Sequence, residues 1–479
     1  MRWCVNNCIC RFLYRHLPAV VLVSILIISA NQVINFARDK SSPVCYKIVS
    51  PFAPKPGAVA TKSSSSSAVV LAGGGENETD SILPNVEWTR ARLDERRMLR
   101  IYEWTWPGTL WSSLMTSYNV CLATQGSIDR IPWIGEVSEK WLGPISLAVY
   151  VRNGDELWIL SIFMSYMRRC SALFLQTVSV HVVVPAEFEV PDYANQSFYY
   201  DVMSDEHPCG QPHQYMSSLV VKFLQHEPVG LYPQNHMRNI ARKNCPTPWV
   251  FMTDVDIIPR LNSSSMINTF YNSISSKCQK CAFVIPVFEL DKSMPYPQTK
   301  KELASYASKG MARQFHLKIY KFGHWATNYT AWLSTNLQEE STKISHIVDS
   351  KVNHYEPFYV SSDDIPKHDE RFVGYGFTRS SQVLEARVMG WKFFVLTPIF
   401  AIHWGLQTPQ TIRSPSLPIP FHAMKYNIKA INQAKSSRRS QNLRNHVIYT
   451  DFVSELVARY NISVSRRKAQ RKQVNPRQQ

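Results

Sequence analysis

Two aspartates one residue apart offer the clearest chemistry in this sequence. Asp254 and Asp256 lie in WVFMTDVDIIPR, residues 249–260, where an apolar run ends before a proline. In extended backbone, side chains two residues apart leave the same face, so both carboxylates point the same way. Carboxylates this close repel each other unless a cation lies between them. Oxygen ligands favour Mg²⁺ or Mn²⁺, which commonly also bind phosphate oxygens. The alternative is a helix N-cap or an Asx turn before Pro259.

Alternating strand and helix patterns place this pair at the edge of a sheet. Short β-branched and aromatic runs predict four buried strands: Tyr118–Ala123, Ile145–Val151, Val178–Val184 and Trp249–Thr253. Residues 154–169 and 234–243 have apolar residues at helical spacing. This alternation predicts an α/β fold with a parallel sheet and helices on its faces. Ligands of such sheets bind beyond the carboxyl ends of the strands, which is where the two aspartates lie.

The N-terminus predicts a membrane anchor. Residues 17–36 form a largely apolar stretch of 20 residues, long enough to span a bilayer as a helix. The preceding residues 1–16 contain Arg2, Arg11 and Arg15 and no acidic residue, so we expect them to stay cytosolic and the remainder to be lumenal. This is a single-pass type II topology. The alternative is a signal peptide cleaved after Ala30.

Composition divides the remaining chain. Residues 37–95 are rich in Ser, Gly and Pro and predict a disordered stem, residues 96–462 a lumenal catalytic-sized domain, and residues 463–479 a basic tail. Anchor, stem and lumenal domain in this order are typical of Golgi membrane enzymes, although adhesion proteins share the layout. From residue 435 onward, eleven Lys or Arg against two acids supply +9 of the net charge of +17. We expect this basic terminal segment to be solvated, so we do not expect nucleic acid as a partner.

Sequons and cysteines agree with a secretory compartment. Five Asn-x-Ser/Thr sequons follow the predicted anchor, at Asn77, Asn195, Asn262, Asn328 and Asn461. Seven cysteines follow it too, and this odd number leaves at least one thiol over if the others pair. Cys278 and Cys281 form a CxxC that has no second pair, so we predict a structural role for it rather than a zinc site.

The stretch from about residue 118 to 460 resembles a known enzyme family. The matching segments occur in a fixed order: VCLATQGSIDR, WLGPISLAVYV, YPQNHMRNIAR, WVFMTDVDIIP, FVIPVFEL, ATNYTAW, HYEPFYV, HDERFVGYGFTRSSQ and FAIHWG. They are similar to glycosyltransferase family 49, which holds the beta-1,4-glucuronyltransferases and the second catalytic domain of LARGE-type enzymes. The resemblance implies a GT-A fold, a mixed α/β sheet that binds a nucleotide sugar.

The resemblance also implies a metal site. Asp254 and Asp256 match the family's metal-binding Asp-x-Asp, and His403 of FAIHWG matches the late histidine that completes such a site. From the residues alone, His403 is typical of a core histidine behind an apolar strand. The implied cofactor is Mn²⁺ or Mg²⁺, with a UDP-sugar as co-substrate. The imidazole must be neutral to bind a metal, so we expect activity to decline at acidic pH.

Four further positions are implied as donor-binding. Thr124 and Asp129 lie in and after the first predicted strand and are expected to face the nucleotide. Arg238 and Asn239, on the helix of YPQNHMRNIAR, are candidates for the diphosphate or the sugar. Their structural alternative is ordinary helix surface.

The catalytic base is expected among the carboxylates of HDERF. Forming a β-bond from an α-linked UDP-sugar inverts the anomeric carbon, which requires a group that takes the proton of the acceptor hydroxyl. Asp369 is the first candidate and Glu370 the second. Ion pairs of these residues with Arg371 or Arg379 are the structural alternative.

The resemblance implies transfer of glucuronate from UDP-glucuronate to a xylose-terminated O-mannosyl-type glycan, as on α-dystroglycan. A UDP-GlcNAc-dependent beta-1,3-N-acetylglucosaminyltransferase of lactosamine chains is the alternative, and a catalytically inactive sugar-binding relative is the second alternative. A glucuronate carboxylate favours a basic partner such as Arg238, Arg379 or Lys392. The acceptor glycan is expected on a secretory-pathway glycoprotein. A partner glycosyltransferase is compatible with this expectation.

Overall fold

The computed structural model describes residues 91–189, 207–225, 230–274, 277–349, 354–409 and 427–461, the last range with side chains from residue 437. The predicted cytosolic tail, the anchor at 17–36, the stem up to residue 90 and the basic tail lie outside these ranges, as do Cys45, Asn77 and Asn195. Within the described residues, no helix combines the length and the apolar character needed to cross a membrane.

Strands and helices alternate through most of the described chain. The strands are β1 Arg92–Leu93, β2 Leu99–Trp106, β3 Val120–Ser127, β4 Ile145–Tyr150, β5 Val178–Pro185, β6 Trp249–Met252, β7 Ile258–Pro259, β8 Cys281–Val284, β9 Val287–Leu290, β10 Ala312–Gln314, β11 Lys343–Ile347, β12 Tyr359–Ser362, β13 Lys392–Thr397 and β14 Ala401–Trp404. The helices are α1 Trp111–Ser117, α2 Ile134–Trp141, α3 Gly154–Cys170, α4 Ala172–Thr177, α5 Pro212–Phe223, α6 Gln234–Lys243, α7 Ser263–Ile274, α8 Lys300–Ser308, α9 Tyr329–Ser334, α10 Ser380–Val388 and α11 Asn427–Arg459.

The large sheet confirms a mixed α/β fold. Its order is β1-β2-β5-β4-β3-β6-β12-β8-β13-β11. The four predicted strands are its centre, β5-β4-β3-β6, and they are parallel as predicted. The two predicted helices are α3 and α6. The antiparallel strands β2, β11 and β12 were not among the predicted strands and make the sheet mixed.

Strand β12 runs against its two neighbours. It pairs antiparallel with β6 on one side, with Tyr359 opposite Met252, and with β8 on the other. The start of β12 therefore lies beside the end of β6. Residues just before Tyr359 are brought to the edge where Asp254 follows Met252.

The two faces of the sheet are covered by different helices. Along β3, Cys121 and Ala123 belong to a core with Met237 and Ile240 of α6. The alternate residues, such as Leu122, belong to the larger core that includes α2, α3 and α7. Because side chains alternate along a strand, each residue near the end of β3 can be assigned to a face.

A second, four-stranded sheet carries the predicted histidine. Its order is β10-β9-β14-β7. Strand β7 begins two residues after Asp256 and pairs with β14, with Ile258 opposite Ile402. His403 follows Ile402, so this pairing carries it to the residues next to Asp256.

The range predicted to be the stem overlaps residues that pair in the large sheet. Arg92 and Leu93 pair with Ile101 and Arg100 of β2, and Asp94 closes the turn between the strands by accepting backbone hydrogen bonds. The prediction that residues up to 95 belong to the stem is therefore wrong for residues 92–95, because backbone pairing orders a segment whose composition is polar.

Six of the seven cysteines after the predicted anchor form disulfides: Cys121 with Cys245, Cys170 with Cys209, and Cys278 with Cys281. The last pair fits the structural role predicted for the CxxC. The bond between Cys121 and Cys245 ties the start of β3 to a residue two positions beyond the end of α6, so it links the two elements that carry Gln125 and Arg238.

Candidate active site

Asp254 is held by two buried arginines. Its Oδ1 accepts hydrogen bonds from Arg379 Nη2 at 2.9 Å, Gln125 Nε2 at 3.0 Å and Arg238 Nη2 at 3.3 Å. The arginine side chains are each 6% exposed, against 31% for Asp254. Burial raises the pKa of Asp254, but the charges of Arg379 and Arg238 outweigh it and the pKa is lowered overall. The guanidinium groups of Arg238 and Arg379 therefore already offset the repulsion between the carboxylates of Asp254 and Asp256, for which the sequence analysis expected a metal ion.

The two arginines come from elements packed on the same face of the sheet. Met237 and Ile240 bury one side of α6 against β3 and β4, which turns Arg238 towards the end of β6. The helix-surface alternative for Arg238 is wrong, because this side chain is buried. Arg379 directly precedes α10, and its guanidinium lies 4.2 Å from the ring centroid of Phe358 at the start of β12.

Asp256 and His403 lie together, as the resemblance implies. His403 Nε2 is 3.8 Å from Asp256 Oδ2, and Arg130 Nη1 donates to the same oxygen at 3.2 Å. The Gln407 amide lies 3.0 Å from His403 Nε2. Burial lowers the pKa of His403, which keeps the ring neutral. Neutral imidazole nitrogen and carboxylate oxygen are a suitable donor pair for Mn²⁺, so these residues fit the expected metal.

The predicted donor residues on β3 and its loop occupy different places. Asp129 forms an ion pair with Arg130 at 3.4 Å and is thus linked to Asp256. Thr124 is fully buried and belongs to the opposite face of β3 from Gln125. The structure does not bring Thr124 into the cluster around Asp254.

Asn239 points away from Asp254, towards the HDERF loop. Its Nδ2 donates to the His368 carbonyl at 2.8 Å and to Glu370 Oε1 at 2.9 Å. Asp369 and Glu370 line a separate cavity of about 760 Å³, whose lining includes Asn239 but neither Asp254 nor Asp256. The roles predicted for these three residues stay predictions, and their positions do not support them.

Asp369 is engaged in an ion pair. Both of its carboxylate oxygens accept from Arg371, at 2.6 to 3.1 Å. Arg371 in turn donates to Glu455 of α11 at 2.6 and 2.7 Å. This arrangement matches the structural alternative for Asp369 and ties the HDERF loop to α11.

Glu356 was missed by the sequence reasoning. It lies three residues before β12, and the antiparallel register places this segment beside the residues that follow β6. Burial raises its pKa, and Arg379 and Arg238 oppose that rise. Its backbone N–H donates to the Gly323 carbonyl at 2.7 Å, which fixes the segment. The stretch HYEPFYV contains this residue, but no local pattern reveals that its charge interacts with those of Arg379, Arg238 and Asp254.

His316 is a second neighbour of the cluster that the sequence did not indicate. Its backbone N–H donates to the buried Glu289 at 3.0 Å, and its ring stacks on Phe315 with centroids 3.8 Å apart. Burial lowers its pKa to about 4, with a further contribution from His403. Lys392, the third candidate partner for a glucuronate carboxylate, is exposed at the start of β13 and in register with the start of β8. It therefore lies at the opposite end of the strands from Asp254.

Three of the predicted glycosylation asparagines lie within the described residues. Asn262, Asn328 and Asn461 are all exposed, and all have positive φ values, of 62°, 51° and 49°. Exposed turns of this kind are compatible with a bulky surface glycan. Glycosylation of these sites stays a prediction.

Comparisons with known proteins show the family. The model of the family described as "Glycosyl-transferase for dystroglycan" matches residues 119–417. Beta-1,4-glucuronyltransferase 1 of Mus musculus is 28% identical over 356 residues, which are 73% of this chain and 78% of that protein. The Homo sapiens protein of the same name is 27% identical with the same coverage. Xylosyl- and glucuronyltransferase LARGE2s of Gallus gallus is 26% identical over 60% of this chain and 32% of its own length.

Solved structures are more distant. S. aureus TarS has 10% identity and a TM-score of 0.28, over 61% of this chain and 38% of its own. GalNAc-T7 with UDP, GalNAc and Mn²⁺ has 7% identity and a TM-score of 0.32, over 63% and 46%. The family match, in contrast, covers more than half of the 479 residues and includes both aspartates and His403, so this chain is a glycosyltransferase and belongs to glycosyltransferase family 49.

Proposed function

We propose that this chain is an inverting, metal-dependent glucuronyltransferase that moves glucuronate from UDP-glucuronate to a xylose-terminated glycan of the O-mannosyl type. The single observation that carries the proposal is the meeting of Asp256 and His403, 3.8 Å apart, beside an Asp254 held by two buried arginines. The similar proteins are named as glucuronyltransferases, which supports glucuronate as the donor sugar, and the family's description names dystroglycan.

The charge of the crevice supports a donor with an extra carboxylate. Three guanidinium groups, of Arg130, Arg238 and Arg379, face four carboxylates, of Asp129, Asp254, Asp256 and Glu356. These charges sum to −1, so a bound divalent ion would make the crevice net positive, at +1. UDP-glucuronate carries one negative charge more than UDP-GlcNAc, and a positive crevice attracts the more negative donor more strongly.

The residues divide the work of the transfer. Asp256 and His403 would hold Mn²⁺ or Mg²⁺, which neutralises negative charge on the departing UDP. Arg130, whose side chain is 44% exposed, is free to reorient towards the diphosphate, whereas Arg238 and Arg379 are fixed by Asp254. Fixed guanidinium groups are pre-organised donors for a carboxylate or a sugar hydroxyl.

Glu356 is the base that this geometry favours over Asp369 and Glu370. In the transfer, the acceptor hydroxyl oxygen bonds to the anomeric carbon, the bond from that carbon to UDP breaks, and the hydroxyl proton passes to a carboxylate. Glu356 is brought to the edge of the sheet that carries Asp254, and its raised pKa suits proton acceptance. Asp369 is already engaged by Arg371, and Glu370 lies at the separate cavity.

A donor screen tests the proposed function. The purified chain with Mn²⁺ should transfer from UDP-glucuronate to a β-xyloside and give a β-linked product. Transfer from UDP-GlcNAc to a lactosamine acceptor would instead support the N-acetylglucosaminyltransferase alternative. Asp256→Asn should lower transfer by at least a hundredfold, because one donor of the metal pair is lost. Full activity in excess chelator would contradict the proposal.

A second experiment tests Glu356. Glu356→Gln should lower kcat by about 10²–10⁴-fold, the usual contribution of a general base, while leaving binding of UDP with Mn²⁺ intact. A fluorine beside the reacting hydroxyl lowers that hydroxyl's pKa, so such an acceptor should lose less rate in this variant. Glu370→Gln is the matched control and should retain most of its kcat. The reverse ranking of the two variants would return the role to Glu370.

We further infer a Golgi membrane location with the catalytic domain in the lumen. The three disulfides support an oxidising compartment, and the apolar residues 17–36 support the anchor. In sealed microsomes, added protease should leave the catalytic domain intact until detergent is added. Digestion without detergent would contradict the topology.

A further inference from the structure

We propose that Asp94, His236 and Glu370 form a second divalent-cation site, suited to Zn²⁺, that is separate from the Asp256–His403 pair. The three side chains come from the turn between β1 and β2, from α6 and from the HDERF loop. One ligand atom of each lies within 4.8 Å of those of the other two.

The distances within this cluster fit a metal better than hydrogen bonds. His236 Nε2 lies 3.4 Å from Glu370 Oε2 and 3.7 Å from Asp94 Oδ2. Both are longer than a normal N–H···O hydrogen bond of about 2.7–3.2 Å. Two ligands each about 2.0–2.2 Å from a tetrahedral Zn²⁺ are roughly 3.3–3.6 Å apart. The separation of His236 Nε2 from each carboxylate oxygen is thus close to that required by such an ion, and the two carboxylate oxygens lie within 4.8 Å of each other.

His236 itself is an independent sign of a missing ligand. The residue is only 4% exposed, and neither ring nitrogen has a hydrogen-bond partner among the described residues. An unpartnered buried polar atom destabilises the folded chain, and a cation bound at Nε2 would remove this cost.

Neighbouring groups already orient the two carboxylates. Asp94 Oδ1 accepts from the backbone N–H groups of Met98 at 2.6 Å and Leu99 at 2.7 Å, while Oδ2 has a longer bond of 3.2 Å from Arg96 N. Asn239 Nδ2 donates a hydrogen bond to Glu370 Oε1 at 2.9 Å, and the other oxygen, Oε2, faces His236. Such outer contacts are typical of metal sites, because they hold the ligands in place before the ion arrives.

The surroundings admit a cation. All three ligands line the cavity of about 760 Å³, whose lining has six acidic and six basic side chains, so no excess of positive charge opposes an ion. The fourth position of the ion would open to this cavity. An ion here cross-links three elements, one of which, α6, also carries Arg238. The site would therefore stabilise the placement of α6 without taking part in transfer.

Cobalt binding to the full chain tests the site. The chain is purified without metal-affinity steps in an Asp256→Asn/His403→Gln background, which removes the metal pair of the proposed function. Co²⁺ should then bind with one equivalent and give the visible absorption bands of a tetrahedral ion, and Zn²⁺ should displace it and raise Tm. Adding His236→Leu should abolish the bands and make Tm independent of Zn²⁺, in a chain that stays folded because leucine suits a buried position.

Two outcomes would overturn the inference. One is a background variant that binds no Co²⁺ although it melts cooperatively. The other is undiminished binding after both His236→Leu and Glu370→Gln. Because the readout is metal content and Tm rather than transfer, failure here leaves the glucuronyltransferase proposal untouched, and loss of transfer leaves this site untouched.

Discussion

At the scale of single residues, the arginine partners of Asp254 change what a substitution should do. From two repelling carboxylates alone, Asp254→Ala is expected to leave the thermal transition nearly unchanged. The structure reverses this expectation, because the variant would leave Arg238 and Arg379 buried without their shared anion. We expect it to lower the free energy of unfolding by about 2 kcal/mol, less than a fully buried pair since Asp254 is partly exposed, and to abolish transfer. Urea titration measures the change.

Asp256→Ala is the control at this scale. Its arginine partner, Arg130, is 44% exposed and can be solvated, so we expect an unfolding free energy within about 1 kcal/mol of the unaltered chain. Equal destabilisation by the two substitutions would show that the buried arginines are not the cause.

The site residues differ in how far the sequence could predict them. Asp254, Asp256 and His403 stand in segments whose resemblance to the family is specific, and Ile258 opposite Ile402 brings them together. Glu356 could not be predicted, because its neighbourhood depends on the direction of β12 and not on any residue near it in sequence.

At the scale of elements, the HDERF loop is fastened from two sides. Asn235 and Asn239 of α6 donate to the Asp369 and His368 carbonyls, and Arg371 joins Asp369 to Glu455 of α11. If Asp369 acts only through this bridge, Asp369→Asn and Glu455→Gln should lower Tm by similar amounts and lower kcat less than tenfold. Parallel melting curves and initial rates test this. A kcat loss of a hundredfold or more in Asp369→Asn alone would identify Asp369 as the base.

Strands could be predicted from the sequence where helices cover both faces of the sheet. The runs that became β3, β4, β5 and β6 are covered by helices on both faces, and such strands are continuous in apolar residues. β12 contains Ser361 and Ser362, which interrupt its apolar run and make it harder to recognise as a buried strand. Because β12 is antiparallel to its neighbours, it needs no crossover helix, so the alternation of strands and helices does not predict it either.

At the scale of the whole molecule, buried histidines predict sensitivity to acid. Burial lowers the pKa of His181 to about 3 and of His316 to about 4, and it lowers the pKa of His324 and His368 well below the ordinary value of 6.5. The unfolded chain then binds more protons than the folded chain below pH 6.5, so stability falls as pH falls. Each group contributes up to about 1.4 kcal/mol per pH unit in that range.

We therefore expect Tm to drop by several degrees between pH 7.5 and pH 5.5 in calorimetry without metal or donor. His181→Gln, which keeps a polar group near the Trp104 amide and Ser146, should flatten this dependence. A Tm that stays constant or rises on acidification would contradict the assignment of neutral, buried rings.

The reversed direction of β12 separates two kinds of adaptation. The metal pair and the arginine-held aspartate depend on the residues after β6, on β14 and on Arg238 in the middle of α6, whereas Glu356 lies on the separate connection that leads into β12. If Glu356 is the base, we expect changes at residues 354–357 to alter which hydroxyl is glycosylated, provided that Phe358, which contacts Arg379, is kept. For an engineer, this is the loop to exchange between paralogues when a new linkage is wanted from an old donor.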